Sequence, residues 1–191
     1  MTNIILVRHG ETEWNRKGII QGRHDIPLNQ TGRRQAEATM KKLKGKAIHG
    51  IFSSPLIRAL ETAQIIAQGL GYNAPIQTIP ALRERDFGSA DGKPIKPYYE
   101  MAINGKVEDM ESDTALETRV MHALANLGRQ HPNQTLLVVC HSHVIKAALK
   151  SIDPNRYNYH TRLFNGSIAT LTFDQNRFLI QSVNNFTSND C

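Results

Sequence analysis

Apolar segments alternate with helical patterns along this chain, and one of them strongly constrains the fold. Residues 135–140 read Thr-Leu-Leu-Val-Val-Cys, which is apolar at every position after the first. A strand that is apolar on both faces is typical of the centre of a parallel sheet with helices packed on each side. Alternating strands and helices of this kind predict an α/β fold with a mainly parallel central sheet.

Periodicity places the other elements around this central strand. It predicts strands at 4–7, 50–53 and 76–79, and a terminal hairpin from 168–173 and 178–183. Helices are expected at about 33–43, from the Ser54-Pro55 turn to about residue 70, and at 115–130. With 191 residues, 40% of them hydrophobic, the chain has material for one core, and we expect residues 1–191 to form a single domain.

Charge and cysteine content narrow the function classes. The formal net charge is +6, but the basic residues are spread out, and their densest cluster (residues 41–46) lies at a predicted helix end. Without a nucleic-acid motif or an aromatic stacking series, this charge indicates small anionic substrates and no nucleic-acid partner. The two cysteines, Cys140 and Cys191, do not form the pattern of a disulfide framework, and they favour a reducing, cytoplasmic setting. No targeting segment and no apolar run of about 18 residues is present, so no membrane association is expected.

The first predicted strand ends in Arg8-His9-Gly10. Ligands of open α/β sheets bind at the carboxyl ends of the strands, so these side chains are expected to face a ligand crevice. An imidazole can act as a nucleophile near neutral pH, and a guanidinium fork matches phosphate oxygens. The triplet alone also fits an ordinary surface pair, and the other strand ends decide between these interpretations.

Reactive groups follow the other strands at corresponding places. Arg58 opens the helix after the second strand, Glu84 follows the third, and His141 ends the central strand. Because these boundaries share one edge of a parallel sheet, we expect the groups to meet in one pocket. The alternatives are a surface Arg58–Glu61 pair, an ion pair of Glu84 with a neighbouring arginine, and a capping or buried structural role for His141.

Taken together, these motifs resemble the histidine phosphatase superfamily, which includes cofactor-dependent phosphoglycerate mutases and broad-range phosphatases. The resemblance covers nearly the whole chain, and its segments are 6–15, 21–22, 25–28, 32–36, 53–63, 82–88 and 138–144. It implies a phosphoglycerate mutase-like three-layer α/β/α sandwich and a phosphorylated His9 intermediate. It also implies that Arg8, Arg58 and His141 line the phosphate pocket, that Asn15 supports it, and that Glu84 exchanges the proton.

The remaining expectations concern ligands. Gln21, Gly22 and Ser142 join Asn15 as candidate substrate-binding residues. No metal site and no cofactor are expected, because two arginines and a second histidine supply the positive charge that a phosphoryl group requires. The expected partner is a small phosphorylated metabolite, and the sequence leaves open whether the protein forms a homodimer.

One segment departs from the family pattern. The central strand is followed by His141-Ser142-His143, where the family usually carries a glycine after the histidine. Ser142 is expected to cap the next helix, with a contact to substrate as the alternative, and His143 is expected to be a hydrogen-bonded structural histidine. A His-x-His metal site ranks low, since no further ligand lies at metal-site spacing.

Three functions remain open at this point. A phosphatase for small phosphate monoesters is preferred, because the chain is short and the loop after Gly22, residues 23–25, lacks the tryptophan and the longer insertions that the resemblance implies for a mutase. Residues 89–114, which include the predicted lid at 93–113, are also brief for the closed pocket that a mutase needs. A phosphoglycerate mutase is the second interpretation, since it must shield its phosphohistidine from water. A phospho-ligand binding protein without turnover is the third, and the complete set of reactive groups argues against it.

Overall fold

The computed structural model describes residues 1–185, and its centre is a six-stranded sheet in the order β3-β2-β4-β1-β5-β6. The strands are β1 (Thr2–Arg8), β2 (Gly50–Ser53), β3 (Gln77–Thr78), β4 (Thr135–Cys140), β5 (Ile168–Asp174) and β6 (Arg177–Asn184). Strands β1 to β4 run parallel to one another, whereas β5 runs antiparallel to both β1 and β6. The predicted central strand, the terminal hairpin and the mainly parallel sheet are confirmed.

Helices cover both faces of this sheet. They are α1 (Glu13–Lys17), α2 (Gln30–Leu43), α3 (Ile57–Leu70), α4 (Ile95–Ile103), α5 (Asp113–Gln130) and α6 (Ser142–Ile152), with two short 3-10 helices at Pro80–Leu82 and Gly88–Ala90. In β4, Leu136 and Val138 pack in the cluster that includes α5 and α6, while Leu137 and Val139 pack in the cluster that includes α2 and α3. Alternate burial along one strand thus produces the predicted three-layer sandwich.

Helices α1 and α4 were not predicted, and several predicted elements have different bounds in the structure. Helix α2 begins at Gln30, before the predicted start, because the Asn29 side chain accepts a hydrogen bond from the Gly32 amide. Helix α5 begins at Asp113 because Ser112 caps it in the same way. Strand β3 is shorter than predicted and exposed at the sheet edge, and Pro80 begins a 3-10 helix soon after it.

The described residues, 1–185, also bear on the expectations about membrane association and about disulfides. Between residues 1 and 185, none of the helices combines the length and the apolar character that crossing a bilayer requires. Cys140 is buried with a free thiol, and Cys191 lies outside the described residues.

The sheet brings the predicted site residues to a common edge. The amide of His9 donates to the Cys140 carbonyl at the end of β4, and the amide of Ser54 donates to the Val139 carbonyl. Backbone hydrogen bonds therefore join the residues that follow β1 and β2 to the carboxyl end of β4. This edge holds the site.

Candidate active site

A cavity of about 360 Å³ opens at this edge of the sheet. It is lined by eight of the nine predicted site residues, namely Arg8, His9, Asn15, Gln21, Gly22, Arg58, Glu84 and Ser142. The ninth, His141, is buried and packs its ring against that of His9, with 5.1 Å between the ring centroids and 60° between the planes. The structure therefore brings together groups that are up to 134 positions apart in the chain, counted from Arg8 to Ser142.

His9 has a defined tautomer. Its Nδ1 lies 2.7 Å from the Gly10 carbonyl oxygen, which only accepts hydrogen bonds, so Nδ1 carries the proton. The Nε2 atom accepts a hydrogen bond from Arg58 Nε at 3.3 Å, which requires a lone pair on Nε2. Burial, and then the charges of Arg58 and Arg8, lower the pKa of His9 well below 6.5, so the ring is neutral at neutral pH. Such an imidazole has the form of a nucleophile.

Arg58 lies at the start of α3 and is fully buried. Its Nη1 donates to the His24 carbonyl at 2.7 Å and its Nη2 donates to the Gly22 carbonyl at 2.8 Å, which holds the guanidinium beside His9. Burial lowers the pKa of Arg58 to about 10, so the group stays positively charged at neutral pH. The alternative of an Arg58–Glu61 pair is wrong, because Glu61 forms an ion pair with Arg33 instead.

Two buried nitrogen atoms near His9 have no hydrogen-bond partner within the described residues. One is Nε of Arg8, whose Nη1 donates to the Leu163 carbonyl, and the other is Nδ1 of His141. The Nε2 atom of His141 lies 2.7 Å from the Ser54 hydroxyl, which therefore leaves Nδ1 as the unpaired ring atom. Buried polar groups are nearly always paired, so two such atoms beside one imidazole indicate that a ligand supplies their partners.

Glu84 lines the cavity and is buried, with 7% of its surface exposed. Its Oε1 accepts from the amides of Arg85 at 2.9 Å and His143 at 3.2 Å. Burial raises the pKa of Glu84 above 4.5, although those hydrogen bonds and the nearby arginines oppose the shift. The alternative of an ion pair with Arg85 is wrong, because the Arg85 guanidinium binds Asp113 and the Glu111 carbonyl.

Polar residues of α1 and the following loop complete the wall of the cavity that contains His9 and Arg58. Gln21 accepts from the Thr12 hydroxyl at 2.8 Å, and Asn15 accepts from Thr12 in a capping box. Asn165 donates to the carbonyl of His9 at 3.0 Å and lies 3.3 Å from Asn15 Oδ1. Asn165 could not be recognised from the sequence, because it lies in an irregular loop with no strand end or helix start beside it.

The His-Ser-His segment differs in part from expectation. The N-cap position of α6 is held by His141 and lacks a side-chain hydrogen bond, so the predicted capping role of Ser142 is wrong. Ser142 instead lines the cavity, and its contact with substrate, the alternative expectation, stays a prediction. His143 has its expected partner, the Tyr99 hydroxyl at 3.3 Å, and its ring stacks on Tyr159. Across residues 1–185, His, Cys, Asp and Glu side chains form no group of three that could share a metal ion.

The far wall of the cavity comes from residues that the sequence did not predict to be part of the site, although it singled out His143 as a structural histidine. Tyr99 on α4, His143 and Lys146 on α6, and the segment 160–163 face the cavity together. Their helical positions resemble ordinary core and surface positions in the sequence, so only the packing of α4 against α6 shows that they meet here.

The arrangement of side chains in this cavity defines a class of enzyme. A neutral imidazole with an available lone pair stands among two guanidinium groups and a protonatable carboxyl group, at the carboxyl edge of a parallel sheet. This set can hold a phosphoryl group, attack it and exchange a proton with its leaving group. The fold and site are those of a phosphoryl-transfer enzyme.

Comparison with known proteins agrees with this class. The family model described as histidine phosphatase superfamily (branch 1) matches residues 4–186. The chain belongs to the histidine phosphatase superfamily, which confirms the predicted family.

Individual relatives cover almost the whole chain. The uncharacterized phosphatase PhoE of Bacillus subtilis is 37% identical over 187 residues, which are 96% of this chain and 95% of that protein. The phosphoglycerate mutase-like protein 4 of Arabidopsis thaliana is 34% identical over 93% of this chain and 83% of its own length. A crystal structure of phosphoserine phosphatase from Entamoeba histolytica with 3-phosphoglyceric acid is similar with a TM-score of 0.85 and 32% identity, covering 100% of both chains. These relatives confirm the predicted fold and the prediction of an enzyme of the phosphatase and mutase class.

Proposed function

We propose that this protein is a phosphatase that hydrolyses small phosphate monoesters through a phosphohistidine intermediate at His9. The observation that carries the proposal is the pair of unsatisfied buried nitrogens, Arg8 Nε and His141 Nδ1, beside the lone pair of His9 Nε2. Phosphate oxygens are the acceptors that such donors require. The Entamoeba histolytica phosphatase was crystallised with phosphoserine and with 3-phosphoglyceric acid, which supports a small phosphorylated metabolite as substrate here.

In the first step, Nε2 of His9 attacks phosphorus and the bond from phosphorus to the ester oxygen breaks. The carboxylic acid of Glu84 gives its proton to the departing alkoxide and becomes a carboxylate. Arg8 and Arg58 hold the equatorial oxygens, on which the negative charge of the transferring group lies. In this proposal Ser54 donates to Nε2 of His141, so that Nδ1 of His141 carries a proton for the same oxygens.

In the second step, water attacks the phosphohistidine and the phosphorus–nitrogen bond breaks. The Glu84 carboxylate takes the proton from the attacking water, which returns the carboxyl group to its starting form. The products are inorganic phosphate and neutral His9. The charge on the phosphoryl group is balanced by guanidinium groups throughout, so we expect the activity to persist in EDTA.

The experiment that tests the proposal replaces the nucleophile. His9→Ala is expected to lower phosphate release from p-nitrophenyl phosphate about a thousandfold or more, because no other group can form the intermediate. Wild-type protein quenched in base during turnover should carry an acid-labile phosphoryl group on His9, detected by mass spectrometry, and His9→Ala should carry none. His122→Ala is the matched control, because this exposed histidine on α5 lies outside the cavity. Near wild-type turnover in His9→Ala would show that the mechanism is wrong.

A phosphoglycerate mutase is the second candidate, and similarity to a phosphoglycerate mutase-like protein favours it. Hydrolysis is preferred because the chain between Gly88 and Asp113 contributes a single α-helix, α4, to the cover of the cavity. A phosphatase should release phosphate from several monoesters without a bisphosphate primer. Rapid primer-dependent isomerisation of 3-phosphoglycerate with little phosphate release would identify a mutase instead. A binding protein without turnover is a weaker third candidate, and the raised pKa of Glu84 argues against it, since binding alone needs no proton donor.

The same proposal includes a reducing cytoplasmic setting, which the buried free thiol of Cys140 supports.

A further inference from the structure

The two peptide groups that flank Gly10 are both anchored by side chains of the neighbouring helices α2 and α3. The Gly10 amide donates to the Thr62 hydroxyl on α3 at 3.1 Å. The next amide along the chain, that of Glu11, donates to Oε1 of Gln35 on α2 at 2.8 Å. Thr62 is fully buried and Gln35 is half-buried, and neither side chain lines the active-site cavity. The proposed phosphoryl-transfer steps use neither of them.

The peptide group between Gly10 and Glu11 also contacts the proposed nucleophile. Its carbonyl, that of Gly10, accepts from Nδ1 of His9 at 2.7 Å, while its N–H donates to Gln35. One peptide group thus carries a hydrogen bond at each end, and hydrogen bonds linked in this way polarise and strengthen one another. Gln35 therefore acts on the imidazole through the backbone, without touching the ring.

Thr62 holds the other side of the same glycine. Its hydroxyl accepts from the Gly10 amide and donates its single proton to the Arg58 carbonyl at 2.7 Å. A glycine backbone is freer to rotate than that of any other residue, and Gly10 has no side chain that packing could hold. The direction of the Gly10 carbonyl, and with it the orientation of the His9 ring, therefore depends on the hydrogen bonds to Thr62 and Gln35.

We propose that Gln35 and Thr62 are positioning residues for the nucleophile, because through the peptide groups of Gly10 they direct Nε2 of His9 at phosphorus. The inference rests on the proposed phosphatase function and adds two residues outside the cavity to its machinery. A small misalignment of reacting atoms strongly lowers the rate of attack. Binding of phosphate depends on the two arginines of the cavity, and it does not require this alignment.

Two variants remove the anchors with little change in shape. Thr62→Val replaces the hydroxyl with a methyl group, and Gln35→Met replaces the amide with an apolar chain of similar length. Each should slow the burst of p-nitrophenol from p-nitrophenyl phosphate, which reports phosphohistidine formation, by about tenfold or more. The dissociation constant of inorganic phosphate, measured by calorimetry, should stay within about twofold of wild type. Thr62→Ser keeps the hydroxyl and should restore most of the burst rate.

Control variants separate positioning from folding. Thr2 is also a buried threonine, but it lies at the other end of β1, where its hydroxyl donates to the carbonyls of Gly128 and His131. Thr2→Val should lower the Tm through the lost hydrogen bonds, yet leave the burst rate within about twofold of wild type. Gln64→Met changes an exposed glutamine on α3 and should leave both quantities close to wild type.

Orthovanadate tests the alignment without turnover. Vanadate can take a fifth ligand from Nε2 of His9 and then resembles the transition state, whereas phosphate binds without that bond. Wild type should bind vanadate about tenfold or more tightly than phosphate, and Thr62→Val and Gln35→Met should each lose most of that difference. If they lose it although the wild type releases no phosphate from any ester, the positioning inference holds and only the phosphatase proposal fails.

Two results would overturn the inference. The first is a wild-type burst rate together with a wild-type ratio of vanadate to phosphate affinity in Thr62→Val and Gln35→Met. The second is a loss of phosphate affinity as large as the loss of burst rate, or an equal loss of burst rate in Thr2→Val. Either form of the second result would show a general loss of structure in place of a misaligned His9.

Discussion

At the residue scale, the proposed chemistry depends on two buried groups whose pKa values are shifted in opposite directions. Burial lowers the pKa of His9 and raises the pKa of Glu84. The first shift favours a neutral imidazole that can attack, and the second favours the protonated form of the carboxyl group, which can give a proton. Two titratable groups with such opposed shifts are a typical signature of an acid and a nucleophile in one site.

The role of Glu84 predicts a dependence on the leaving group. An alkyl phosphate needs its ester oxygen protonated as it departs, whereas p-nitrophenolate leaves largely unaided. Glu84→Gln should therefore lower turnover of glycerol 3-phosphate by about 10²–10⁴-fold while p-nitrophenol still appears in a pre-steady-state burst. Rapid-quench kinetics measure both. Equal damage to the burst and to alkyl phosphate hydrolysis would contradict a proton-transfer role for Glu84.

The pH profile follows from the same two groups. As pH falls through the lowered pKa of His9, below 6.5, the nucleophile is protonated and kcat should decrease for every substrate. As pH rises through the raised pKa of Glu84, above 4.5, the proton donor is lost and kcat should decrease for alkyl phosphates. The formation of phosphohistidine from p-nitrophenyl phosphate should lack this second decrease. Single-turnover rates across pH for the two substrates test the assignment, and coincident profiles would refute it.

At the element scale, the loop after α1 connects the cover of the cavity with the start of α3. The carbonyls of Gly22 and His24 hold the Arg58 guanidinium, and Asp25 accepts from the amide of Ile57 at 2.6 Å. Asp91 packs against this loop, where its carboxylate accepts from the Arg23 amide. The position of the catalytic guanidinium is therefore set by loop backbone rather than by α3 alone.

This contact predicts the effect of one added methyl group. Gly22 has φ +44°, and a Cβ atom there would lie 1.8 Å from Oδ1 of Asp91, so Gly22→Ala must displace the loop or the Asp91 side chain that packs against it. We expect kcat/KM to fall about tenfold to a hundredfold through the misplaced Arg58. Gly18→Ala is the matched control, since Gly18 has φ +66° but open space around its Cβ position. It should carry a similar backbone strain with little loss of activity in steady-state assays. Equal losses in both variants would indicate strain alone.

The sequence predicted correctly those site residues that directly follow a recognisable strand. His9 and His141 follow apolar strands directly, and Arg58 follows a strand by a short turn, so periodicity and topology alone bring them to one edge. Helix α4 was missed because Pro97 stands near its start and proline breaks helices, although apolar residues recur at helical spacing over residues 95–103. The far wall was missed with it, since Tyr99 and Lys146 meet only through tertiary packing. Sequence patterns report local structure, and contacts between distant elements need coordinates.

At the scale of the whole molecule, the site places several titratable groups in the interior at a cost in stability. His9, His141 and His143 are buried as neutral rings, and burial is the main cause that lowers each pKa well below 6.5. The unfolded chain binds protons at these histidines as pH falls below 6.5, and the folded chain does not. Their effect is therefore a loss of folding stability on the acid side, opposed in part by Glu84, which holds a proton in the folded state above pH 4.5.

His143 offers the cleanest measurement of this coupling, because the proposed mechanism gives its side chain no role in phosphoryl transfer. In His143→Phe an apolar ring replaces the imidazole among Phe87, Tyr99 and Tyr159, and Tyr99 keeps its hydrogen bond to the Tyr159 carbonyl. Between pH 6.5 and 5.5 the free energy of unfolding of the wild type should decrease more steeply than that of the variant. The difference approaches about 1.4 kcal/mol per pH unit below pH 6, the value for one proton bound only by the unfolded chain. Urea unfolding at several pH values measures both slopes, and parallel curves would show that His143 takes up a proton in the folded protein.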